Sequence, residues 1–164
     1  GRQALGTITT GGGNTAVGDY ALSSADAGDS NNTAVGSDCL KNNIRGTNTA
    51  VGAAAMKWVD DGSANVAVGY LAMTSAGADA GNTASDNVAI GKSALAAITD
   101  GGNNVAVGSS ALSTITTGGN NVAIGKGSMD AAVATSTENV FIGLDSGGGS
   151  WTGLQIVMLE LVTM

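Results

Sequence analysis

A parallel β-solenoid is the fold this sequence predicts, and three observations carry it. A motif of the form Asn-(Thr/Val)-Ala-(Val/Ile)-Gly recurs eight times, with Phe141 for the alanine in the last copy, its asparagines at Asn14, Asn32, Asn48, Asn65, Asn87, Asn104, Asn121 and Asn139. The intervals are 18, 16, 17, 22, 17, 17 and 18 residues. Within each copy the residue types alternate with period two, the mark of a strand. Self-similarity at a fixed short period makes each copy one unit of a stacked array. A helix pair needs about 30 residues or more per repeat, and a glycine interrupts every apolar run here, so a helical repeat is set aside.

Each unit reads as strand, glycine corner, short strand and turn. The columns one and three places after the asparagine, such as Val105 and Val107, are β-branched throughout, as a half-buried strand prefers. They are expected in the interior. The residue between them is alanine in seven copies and Phe141 in the eighth. On the opposite face of the strand, that alanine column is expected to lie against another subunit. The asparagines are expected to bond to one another as a ladder along the rod. The glycine column marks a tight corner or a close backbone approach.

After the glycine come two free positions, a small residue and a large one, as in Ala111-Leu112. A third apolar column follows: Ile8, Ile44, Val59, Ile98, Ile115 and Val133. A polar Gly/Asn/Asp/Thr turn then returns the chain to the next asparagine. About eight such coils of 16–22 residues, stacked at ~4.8 Å with two sheets ~10 Å apart, make a rod roughly 38 Å long. The long interval between Asn65 and Asn87 places an insertion at residues 74–86. Insertions in repeat proteins map to surface loops, so Thr74, Ser75, Asp79, Asn82, Thr83 and Asp86 are candidate receptor contacts. Tyr20, Tyr70, Lys92 and Lys126 are candidate surface contacts, with Trp58 beside them.

Composition narrows the function. The net charge of −7, with six scattered basic residues, argues against nucleic acid and against an anionic membrane. No apolar run is long enough for membrane insertion. Without histidine, a general base has to be a carboxylate or lysine, and no carboxylate pair recurs at a fixed place. Gly91-Lys92-Ser93 has the look of a phosphate-loop end, but Asp86 stands where its first glycine is required. Asp60-Asp61-Gly62 and Asp100-Gly101-Gly102 read as turns, lacking the repeated glycine-aspartate pattern of calcium rolls. Cys39 occupies a position that is mostly alanine, as a small buried hydrophobe does. The expectation is a non-enzymatic chain with no cofactor and no metal.

Asn14-Thr15-Ala16-Val17-Gly18-Asp19-Tyr20-Ala21-Leu22 resembles the repeats of phage tail-fibre proteins, and Asn87-Val88-Ala89-Ile90-Gly91 those of trimeric autotransporter adhesin heads. The resemblance covers about residues 1–147. It implies a left-handed β-roll wound as a homotrimer. The implied function is attachment to a host-surface glycan or protein receptor, as a virion tail fibre. An adhesin head on a bacterial surface, or a purely structural extracellular filament, is the alternative. The adhesin repeats are shorter than these, so the outer turn has to differ.

Residues 148–164 depart from the pattern, and two readings stand open. They are an end cap over the last coil, or a frame-shifted end. Codons taken from the third base of Leu154 allow Asn-Val-Gly-Ile-Gly where a ninth motif is due.

Overall fold

The computed structural model describes residues 1–24, 30–42, 46–75 and 82–148, and the backbone of 157–159. Each motif copy forms one three-residue strand: β1 Thr15–Val17, β2 Thr33–Val35, β3 Thr49–Val51, β4 Val66–Val68, β5 Val88–Ile90, β6 Val105–Val107, β7 Val122–Ile124 and β8 Val140–Ile142. β9 spans Val157–Leu159. The nine strands stack in chain order as one parallel sheet, and no helix occurs among the described residues. Register is strict, so equivalent residues pair all along the rod: Val88 with Val105, Ala89 with Ala106, Ile90 with Val107. The chain is a parallel β-solenoid.

The strand faces are the reverse of the sequence expectation. The alanine column points inward, with Ala34, Ala50, Ala67, Ala89, Ala106 and Ala123 wholly buried. The valine and isoleucine columns point outward, with Val17, Val51, Val66, Val68, Ile90, Ile124 and Ile142 all more than a third exposed. Alternation tells only that the two faces differ. Interior width decides which face goes in. The opposite wall is lined by the large column, Leu22, Leu40, Met56, Met73, Leu95, Leu112 and Met129, each fully buried. With that wall filled, only a methyl group fits on the strand side. One coil proves the pairing by exchanging it. Phe141 replaces the alanine, and Gly147 stands where the other coils carry Leu or Met. A Cβ at Gly147 would lie 2.5 Å from the Phe141 ring, which fills the volume that a leucine occupies elsewhere.

The second half of each coil is a turn rather than the expected short strand, so the wall facing the sheet is not a second sheet. The small and large columns are adjacent in sequence and both buried, as Ala111 and Leu112 are. A strand cannot point two consecutive side chains the same way. The chain manages it by placing each large residue in the left-handed region, with φ +50° at Leu22, +51° at Leu95 and +52° at Leu112. That conformation costs about 1–2 kcal/mol per residue, and full burial of a Leu or Met side chain returns about 1.5–3 kcal/mol. The column therefore holds large apolar residues wherever the strand side is alanine. The turns are also tied from coil to coil, Leu95 N–H donating to Ala111 O and Leu112 N–H to Ser128 O at 3.0 Å each.

Of the third apolar column, Val59, Ile98 and Ile115 are buried, and Ile8 packs partly against the core. Val133 is exposed instead, and Ala132 beside it is buried. Ile44 lies outside the described residues.

Two columns set the coil spacing. The corner glycines have φ between +132° and +139° from Gly36 to Gly143. A Cβ on Gly36 would stand 2.5 Å from the carbonyl oxygen of Gly52 in the next coil. The position requires glycine for both reasons. From Asn32 to Asn139 the asparagines are buried and bond from coil to coil in series. Asn104 N–H and Nδ2 donate to Asn87 Oδ1 at 2.9 and 3.0 Å. Its own Oδ1 accepts the N–H and Nδ2 of Asn121, each at 3.0 Å. The second Nδ2 hydrogen reaches the Gly118 carbonyl at 3.0 Å. The Asn104 amide thus uses both donors and both lone pairs, the full capacity of that side chain, whereas Asn32 Nδ2, near the start of the ladder, is buried without a partner.

Candidate functional site

With the interior sealed by alanine, leucine and amide ladders, chemistry available to a partner lies on the outside of the rod. Three regions are candidates: the flat outer face of the sheet, the exposed edge beside it, and the aromatic and basic cluster of the first coils.

The outer face carries two rows. One is Thr15, Thr33 and Thr49 followed by Val66, Val88, Val105, Val122 and Val140. The other runs from Val17 through Val35, Val51, Val68, Ile90, Val107 and Ile124 to Ile142. Neither row contains a charge. Over eight coils at ~4.8 Å this is an uncharged strip roughly 38 Å long, apolar in one row throughout and in the other from Val66 on. An apolar face of that length is a candidate interaction surface. Its rows are legible in the sequence, where their β-branched character points to a core rather than to an outer face.

Beside it, Tyr70, Lys92 and Lys126 share the column immediately after the corner glycine, all exposed. Tyr70 and Lys92 stand in neighbouring coils, and Lys126 follows two coils beyond Lys92, past Ser109. Tyr20 and Trp58 occupy different columns, so the aromatic and basic candidates form two groups rather than one.

The second group gathers in the first coils. Arg2 and Lys41 approach the half-buried Tyr20, with Cζ 5.6 Å and Nζ 5.0 Å from the ring centroid. Lys57 lies 5.2 Å from the Trp58 ring centroid. Asp38 joins the two lysines, accepting from Lys57 Nζ at 3.0 Å and pairing with Lys41 Nζ at 3.3 Å. Desolvation works to raise the Asp38 carboxyl, but the hydrogen bonds and charges of Lys57 and Lys41 prevail and hold it below its ordinary value. Arg2 and Lys41 were not among the sequence candidates, because the neighbours of Tyr20 come from the coils before and after it.

Of the insertion, the ends at 74–75 and 82–86 are described. Ser75 and Asn82 are buried and close its base. Asn82 Nδ2 donates to Ser75 Oγ at 2.7 Å and to the Trp58 carbonyl, while Ser75 Oγ donates to Ile98 O at 2.7 Å. These two residues are a clamp and are withdrawn as receptor contacts. Thr74 is half-buried, its carbonyl accepting from Trp58 N–H at 3.2 Å. Thr83 and Asp86 are exposed. They belong to the regular turn, Thr83 Oγ1 donating to Asp100 at 3.0 Å. Asp79 lies outside the described residues, with 76–81.

Cys39 is buried in the small column, its Sγ donating to Ala50 O at 3.2 Å. Burial pushes its thiol up to about 12, so it stays protonated and unreactive at neutral pH. Among the described residues, no three His, Cys, Asp or Glu side chains converge to hold a metal ion. No family model, curated protein or solved structure matches the chain.

Proposed function

We propose that this chain is a segment of a non-enzymatic attachment fibre, a homotrimeric rod of the phage tail-fibre kind that carries a virion to a host-surface glycan or protein receptor. The observation that carries the reading is the uncharged, β-branched outer face of the sheet. A strip that long exposes an apolar surface that water disfavours at about 25 cal/mol per Å². Packing against copies of itself removes the cost, and closed rotational symmetry does so without open-ended growth. The threefold number and the left-handed winding come from the resemblance of the repeats. The alanine column cannot face the symmetry axis, because it is buried inside each coil. In this reading the valine and isoleucine rows face the axis, and the Tyr70, Lys92 and Lys126 edge faces outward.

Sedimentation of the purified chain tests the assembly. A trimer is expected for the natural sequence, and a monomer with unchanged circular dichroism for Val107→Lys combined with Ile124→Lys. A monomeric natural chain, or a charged variant that stays trimeric, overturns the reading. Adsorption of the trimer to host cells separates an attachment fibre, on a virion or as a bacterial adhesin head, from a purely structural extracellular filament.

A further inference from the structure

Beside Tyr20 the surface opens into a cavity of about 350 Å³, lined by Gln3, Gly6, Thr7, Tyr20, Ser23, Ser24 and Lys41. That volume is at the lower end of those that hold small molecules, about 300–1,000 Å³, and gives room for one pyranose ring. The lining draws on three successive coils, and this one carries tyrosine at a position that is Asp38, Ala54, Leu71, Ser93 and Ser110 in the next five coils.

We infer that this cavity is a subsite for an uncharged hexopyranose, the terminal or branching sugar of a neutral surface glycan. The chemistry of the walls selects that ligand. Tyr20, whose ring Arg2 and Lys41 approach at 5.6 and 5.0 Å, supplies the aromatic contact for the C–H groups of a sugar ring. Gln3, Thr7, Ser23 and Ser24 supply donors and acceptors together, as a ring of hydroxyls requires. Among the described residues of the lining Lys41 is the one charged group, and its charge is already met by Asp38 at 3.3 Å. The hydrogen bonds and charges of both lysines keep that carboxylate ionised. An acidic sugar would have to displace Asp38 from Lys41, whereas a neutral hydroxyl needs only one remaining ammonium hydrogen.

The assignment rests on the attachment reading and names what the fibre takes hold of at one place. Saturation-transfer NMR of the full chain with methyl glycosides of neutral hexoses tests it. Transfer to ring protons is expected, lost in Tyr20→Ala, kept in Tyr20→Phe, weakened less than about threefold in Lys41→Gln, and insensitive to salt. Circular dichroism and the melting profile check that Tyr20→Ala still folds; if it does not, titration of Tyr20→Phe and Lys41→Gln decides. No transfer from any neutral hexoside, equal transfer in Tyr20→Ala, or a response confined to uronic acids and removed by salt overturns the inference. Sugar binding by a chain that never adsorbs to cells counts against attachment and leaves the subsite. Adsorption with no sugar response sinks the subsite alone.

Discussion

Replacing Asn104 by Ala removes a side chain that is wholly buried and bonded in four ways. It donates to Asn87 Oδ1 and Gly118 O, and accepts from the N–H and Nδ2 of Asn121, all at 3.0 Å. At about 1 kcal/mol net per hydrogen bond the loss comes to about 4 kcal/mol. The orphaned Asn121 N–H and Gly118 carbonyl, sealed from water, keep the figure from falling much lower. Against a typical total of about 5–15 kcal/mol that is severe. Asn104→Asp is worse still, because it places a carboxylate in the ladder and removes both donors. Asn103, one residue earlier, is exposed with φ +58° and serves as the control, where glycine is tolerated or mildly stabilising. Urea unfolding at fixed protein concentration, followed by circular dichroism, measures the series. A cost below about 1 kcal/mol for Asn104→Ala refutes the claim that the ladder sets coil stacking.

The facing of the strand gives a second test. Ala106→Lys puts a charge into the sealed core and is expected to unfold the central coils rather than merely dissociate subunits. Intact circular dichroism from that variant contradicts the inward alanine column. Phe141→Ala opens a core cavity and costs about 3–5 kcal/mol. Adding Gly147→Leu to it restores the Ala/Leu pairing of the other coils and recovers most of that loss in the melting temperature, whereas additive losses would dissociate the two positions. Cys39 is expected to resist thiol reagents in the native state and to react once urea unfolds the coil. Its raised folded value also means that stability falls as pH rises above the ordinary thiol range toward about 12, because the unfolded chain releases that proton first. Native-state labelling at neutral pH would contradict its burial. Asp38, held low by its two lysines, contributes stability above the ordinary carboxylate range that fades as pH falls through its folded value. Lys57→Met and Lys41→Met together are expected to remove that acid-side dependence in pH-resolved melts.

How much of the candidate surface was legible differs from residue to residue. Tyr70, Lys92 and Lys126 were found because a column position after the corner glycine is a matter of counting. Arg2 and Lys41 were not, since their place beside Tyr20 depends on how adjacent coils superpose. Ser75 and Asn82 were misjudged for a related reason. An interval length reveals that residues have been inserted, but not where the loop is pinched shut.

The sequence by itself determined the solenoid and the in-register stacking of β1 to β8, while β9 in the atypical tail came from the structure. Periodicity is a property of the chain, and only glycine fits where backbones of successive coils meet. It also held two clues to the interior: adjacent apolar residues such as Ala111 and Leu112, which no strand can bury together, and the exchange at Phe141 and Gly147. The tertiary structure alone decided which face went inside. Hydrophobicity favours burying the valines, but the volume left between the strand and the leucine wall admits only a methyl group. Close packing prevailed, and it left the β-branched rows outside.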